Sequence, residues 1–146
     1  YVAYNYREGH WTIGSLARTC GTDRGVFTYP IMVSVDGYVY EHEVGVTYDG
    51  AVPFARTGPI EFGDGDRLMV AKQLIADEKT QGQVGVQFIT KFAPNGSETT
   101  KTYTIDSIYT PVRFTGRQVE MKVTGDSMTD WRVGVMRLDA VPGGQR

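Results

Sequence analysis

Gln118-Val119-Glu120-Met121-Lys122-Val123-Thr124 sets Val119, Met121 and Val123 on one phase of a two-residue repeat and the four polar residues on the other. Successive side chains of a strand point to opposite faces, so this stretch predicts a strand with one buried and one solvated face. Upstream, Val84, Val86 and Phe88 alternate with Gly85 and Gln87, and the run reaches Phe92 before the turn residues Pro94-Asn95-Gly96-Ser97. Thr99 to Ile105 then supplies a Thr- and Tyr-rich return arm, and a long meander is expected. Downstream, Gly125-Asp126-Ser127 turns the chain. Trp131 to Val141 returns with Trp131, Val133 and Val135 on one phase and Met136 and Leu138 on the other, which predicts a bulge near Val135-Met136.

The N-terminal third repeats the theme in shorter pieces. Tyr1 to Tyr6 and Trp11-Thr12-Ile13 are aromatic and β-branched runs around Arg7-Glu8-Gly9-His10, the pattern of a hairpin. Pro30 to Val35 and Tyr38 to Val44 flank Asp36-Gly37, the dipeptide that favours a two-residue hairpin turn because glycine tolerates positive φ. Ser15 to Thr28 has weak periodicity and reads as a connection. Val46 to Pro53, with Asp49-Gly50, reads as a linker or long turn, and Phe54 to Phe62 is interrupted by Gly58-Pro59.

Arg67 to Lys79 is ambiguous. Positions 67, 70, 71, 74 and 75 put Val, Ala, Leu and Ile on a helical face, with Asp66 as an N-cap and Gly82 beyond the end. The strand character of every other long segment favours a strand here as well. Strands at roughly 10-residue spacing with Gly, Asn, Asp and Pro between them fit a β-sandwich or barrel. The expectation is therefore an all-β chain: residues 1–50 as β-hairpins, packed against an antiparallel β-sandwich over 51–146.

Composition narrows the function classes. At 146 residues a globular chain buries about 70% of its unfolded surface, enough to dispense with staples. Fifteen Lys and Arg against 17 Asp and Glu, interspersed, give no basic stripe for sequence-specific or electrostatic nucleic-acid binding. Apolar stretches are far shorter than the ~20 residues of a membrane span. Cys20 stands alone, so an intrachain disulfide is impossible and a multi-cysteine zinc site is excluded. The chain opens on Tyr1 already in a strand pattern, so upstream material is expected.

Chemistry-bearing residues are few. His10, His42 and Cys20 are the only side chains of their types, and no G-x-S-x-G elbow occurs, so no enzyme activity, catalytic residue or cofactor is expected. Glu41-His42-Glu43 lacks the H-E-x-x-H spacing, with Val46 in place of the second His, and reads as a solvated arm with the two Glu on one face and His42 on the other. Asp64-Gly65-Asp66 lacks the rest of a calcium loop, since position 68 is Leu, and reads as a tight turn in which the Asp side chains accept from nearby backbone N–H groups. No metal site is expected. The aromatics of the first hairpin, Tyr4, Tyr6 and Trp11 with Tyr1, are candidates for core or subunit interface over a ligand platform.

Several stretches together resemble one family. Tyr4 to Gly14, a Y-N-Y clause, an acidic-Gly turn and W-x-x-G, is similar to the last propeller-blade hairpin of large β-propeller tail proteins of short-tailed bacteriophages and prophages, of the nozzle or tail-stabilisation type. Tyr40 to Gly45, Thr57 to Arg67, Gly116 to Val119, Asp130 to Asp139 and Pro142-Gly143-Gly144 resemble the same proteins in order. Such proteins run to several hundred residues, so the resemblance implies a C-terminal part of a virion tail component. It further implies a ring of identical subunits around the DNA channel, with other tail proteins and copies of itself as partners, and no catalytic residues to carry over. The alternative class is a sandwich that presents loops to a carbohydrate or host receptor, with a host-surface glycan as partner.

Overall fold

The computed structural model describes all residues except 47, 49–51, 106–107, 126–129 and 146. The expected turns at Asp49-Gly50 and Asp126-Ser127 lie outside the described residues. The fold is all-β and antiparallel, and among the described residues no helix occurs. The chain divides into two compact units, Tyr1–Ala51 and Val52–Arg146.

The first unit holds β1 (Val2–Asn5) and β2 (His10–Ile13), which form a two-stranded sheet, and a three-stranded sheet of β3 (Arg18–Thr22), β4 (Ile31–Ser34) and β5 (Val39–Glu41). β3 falls inside the stretch expected as a connection. Its sequence, Arg-Thr-Cys-Gly-Thr, has no apolar alternation because neither face is covered, so periodicity gave no sign of it. The turn after β4 is also longer than expected. Gly37 N donates to Ser34 O at 3.1 Å and Ser34 N to Tyr38 O at 2.9 Å, so three residues, Val35-Asp36-Gly37, form the loop. Gly37 takes φ 87° at its end, the left-handed position of a three-residue hairpin loop.

The second unit is the sandwich. One sheet runs β10 (Thr99–Thr104), β9 (Val84–Lys91), β12 (Gln118–Gly125), with β6 (Phe54–Arg56) and β7 (Ile60–Glu61) both on the far side of β12. The other runs β11 (Tyr109–Gly116), β8 (Arg67–Ala76), β13 (Met136–Gln145). Met69, Ala71 and Leu74 of β8 and Val112 and Phe114 of β11 meet Val84, Val86, Phe88, Val119 and Val123 of the first sheet in one core. The alternation of β12 is as expected: Val119 and Val123 are buried and Met121 packs against the core. The meander is not the connectivity. β8 is central in one sheet and β9 and β12 in the other, and the later strands are distributed on either side of β8 and β9, whose inward residues are therefore buried.

β8 resolves the ambiguous segment as a strand. Gln73 pairs with Asp139 of β13, and Ala71 with the next residue, Ala140, leaving Lys72 as an extra residue. This bulge turns the inward set from Met69 and Ala71 to Leu74 and Ala76. The three-residue step from 71 to 74 imitates a helical period. The slip expected near Val135-Met136 is absent, since β13 begins at Met136 and its register shifts lie at Asp139/Ala140 and Pro142/Gln145. Residues 132–135 are held by side-chain and backbone bonds to the 77–81 segment instead. Val135 N donates to Asp77 Oδ2 at 2.9 Å, Gly134 N to Thr80 Oγ1 at 3.2 Å, and Gln81 and Arg132 exchange backbone bonds.

Candidate interaction surface

The first hairpin is built around Asn5. Its Oδ1 accepts from Arg7 N and Glu8 N at 3.1 and 3.2 Å, and Gly9 N donates to Asn5 O at 2.8 Å with Gly9 at φ 71°. This local wiring fixes the loop and hence the register, Val2 with Ile13 and Tyr4 with Trp11. Side chains alternate, so Val2, Tyr4, Trp11 and Ile13 share one face, and Ala3, Asn5, His10 and Thr12 the other.

Tyr4 and Trp11 are direct cross-strand partners with ring centroids 4.5 Å apart and planes tilted by 30°. Both are nonetheless exposed, at 50% and 68%. Val2 and Ile13 complete an apolar face and are 66% and 82% exposed. Tyr6 lies in the loop, also exposed, with the Arg7 guanidinium 6.0 Å from its ring centre. The structure thus joins Tyr4 and Trp11 and leaves Tyr6 outside the pair. Sequence reasoning missed Val2 and Ile13, which the hairpin register would have found.

The remainder of the first unit is equally open. Among its described residues only Pro30 and Ser34 are buried, while Val26, Val35, Tyr38 and Val39 are exposed. The uncovered apolar face of the hairpin is of the kind that marks contact sites in soluble proteins.

The sandwich differs. Its strand edges carry devices that oppose strand addition. β6 and β7 are separated by Gly58-Pro59, β11 carries Pro111 and a register shift, and β13 carries Pro142 and two shifts. β10 turns Lys101 toward the other sheet, where its Nζ donates to Arg113 O at 2.7 Å. An apolar cavity of about 110 Å³ opens beside Ile60, Met121 and Met136, and a trough of about 310 Å³ adjoins it along Arg56, Val123 and Trp131.

The titratable residues are dispersed in their bonding. His42 N donates to Pro30 O, and its Nε2 accepts from Arg18 Nε at 3.0 Å, while the Arg18 guanidinium lies 4.2 Å from the Tyr40 ring centre. His10 lies 3.6 Å from Glu8, and the Cys20 sulfur is approached by Thr19 Oγ1 at 4.0 Å. The solvated-arm alternation stops at Glu41. Glu43 takes φ 61° and pairs with Arg24, so the two Glu do not continue one strand face. The Asp64 turn is closed by a Phe62–Arg67 bridge, with Gly63 and Gly65 at positive φ. Among the described residues no three His, Cys, Asp or Glu side chains gather as a metal set.

Comparison of the chain with protein-family models, curated proteins and solved structures gave no match.

Proposed function

We propose that the chain is a non-catalytic structural component of a tailed-phage virion, acting through subunit contacts in a tail assembly. The observation that carries this reading is the exposed Val2-Tyr4-Trp11-Ile13 face on a unit that, among its described residues, buries only Pro30 and Ser34. A two-stranded hairpin is marginal alone in water, so such a face gains its stability from a partner surface. The guarded edges of the sandwich support a contact through the hairpin unit over strand addition on Val52–Arg146. The sequence resemblance to nozzle-type tail proteins supplies the kind of assembly.

Sedimentation velocity across a concentration series tests the contact. The chain should self-associate or bind a tail-protein partner, and Tyr4→Ser with Trp11→Ser should weaken that association at least tenfold. A monodisperse monomer at all concentrations, without capture of any tail protein, overturns it. A glycan array separates the rival class, because selective sugar binding that is lost with Trp11 would favour a receptor-binding module.

A further inference from the structure

The chain contains two asparagines, and their surroundings differ. Asn5 is wired at both ends of its amide. Its Oδ1 accepts two backbone N–H groups and its Nδ2 donates to Glu8 Oε2 at 3.4 Å. The following residue, Tyr6, screens its own backbone nitrogen with a bulky side chain. Asn95 is exposed in the loop between β9 and β10, and among the described residues its side chain has no hydrogen-bond partner. The residue after it is Gly96, whose nitrogen has no Cβ beside it.

We propose that Asn95 is a site of spontaneous deamidation. The Gly96 backbone nitrogen loses its proton to base and attacks Asn95 Cγ. A nitrogen–carbon bond forms, the side-chain carbon–nitrogen bond breaks, and ammonia leaves, closing a five-membered succinimide. Water opens the ring at the side-chain carbonyl to give aspartate, or at the main-chain carbonyl to give isoaspartate. The net reaction consumes one water and releases one ammonia, with no change of oxidation state.

The local structure sets where and how fast this occurs. Gly96 N donates to Ala93 O at 2.9 Å, with Pro94 in the second position of the turn, so the nucleophile is released only when this bond opens. Opening is confined to the tip. The loop base is closed by the Lys91–Glu98 ion pair at 2.8 Å and by the Thr90–Thr99 step of the ladder. Exposed loop tips open at little cost, so the reaction proceeds from the folded chain at a rate reduced by the closed fraction of the turn. Isoaspartate adds one backbone methylene to the loop that leads into β10, and either product adds a carboxylate three residues before Glu98.

Peptide mass spectrometry of the full chain, incubated at mildly alkaline pH, is the test. Asn95 should convert from amide to carboxyl into two chromatographically distinct peptides, while Asn5 stays intact. The rate should rise with pH and be several-fold higher in the urea-unfolded chain. Gly96→Ala should slow conversion several-fold, and Asn95→Gln, in an exposed loop, should abolish it with unfolding midpoint unchanged. Retention of the Asn95 amide in the folded chain while the unfolded chain converts would overturn the proposal. So would equal conversion at Asn5.

Discussion

Tyr103 illustrates what one side chain does in the sandwich. The register of β11 on β8 shifts between Pro111 and Phe114, which takes the Arg113 backbone out of the ladder. The Tyr103 hydroxyl accepts from Arg113 N at 3.0 Å and donates to Arg113 O at 3.1 Å, the same carbonyl that accepts from Lys101 Nζ. Tyr103→Phe should keep the ring's edge contact with Phe88 and cost about 0.5–1.5 kcal/mol in urea unfolding, since Arg113 is exposed and its carbonyl keeps the Lys101 bond. Asp77 works similarly on the 131–135 segment. The Val135 N–H above all, then Lys79 N–H and the Thr80 hydroxyl, hold its carboxylate below the ordinary 3.8, with partial desolvation opposing them. A depressed folded-state value means that its contribution is present above the unfolded value and disappears as pH falls through the folded one. Acid unfolding monitored at Trp131 should therefore begin below pH 3.8 in part through Asp77, and Asp77→Asn should flatten that limb of the profile while lowering stability at neutral pH. Gly134→Ala should mimic the loss at all pH values, since its Cβ would fall 1.8 Å from Asp77 Oδ1.

At the scale of the element, what was legible in the sequence was the face of each strand. Val119, Val123, Val84, Val86 and Phe88 turn inward as their alternation requires, and Tyr4 and Trp11 share a hairpin face. What was not legible was anything that depends on a partner strand. The helical look of Arg67–Ala76 comes from a bulge at Lys72, and a bulge is a property of two strands in register. The same holds for β3, whose pairing with β4 leaves no apolar signature, and for the passage of β11 to the sheet opposite β10. The edges, too, become meaningful only in the sheets. Lys101 is one polar residue among threonines until β10 proves to be an edge, and then it is an inward charge that a further strand would bury. Lys101→Val in a chain of residues 52–146 should give concentration-dependent association by light scattering where the unsubstituted sandwich stays monomeric. Unchanged scattering would show that another feature guards this edge.

For the whole molecule, the two units have opposite economies of burial. Val52–Arg146 encloses a core in which Phe88 stacks on Phe114 with ring centroids 4.4 Å apart and Val84, Val86 and Val112 are wholly inaccessible. Tyr1–Ala51 has backbone ladders of three to five residues and Pro30 and Ser34 as its buried residues among those described. Conformational entropy costs about 1–2 kcal/mol for each ordered residue, and ladders without apolar burial do not offset it. Stability must then be uneven along one chain. In hydrogen exchange on the monomeric full chain, amides of β8, β9 and β12 should exchange only through global unfolding, while those of β1 to β5 should exchange at least a hundredfold faster. Adding the partner that covers the Tyr4–Trp11 face should slow exchange in β1 and β2 and leave β8, β9 and β12 unchanged. Equal protection of the two units in the monomer would mean that the first unit is stable without a partner, and would remove the physical reason for assigning it the contact.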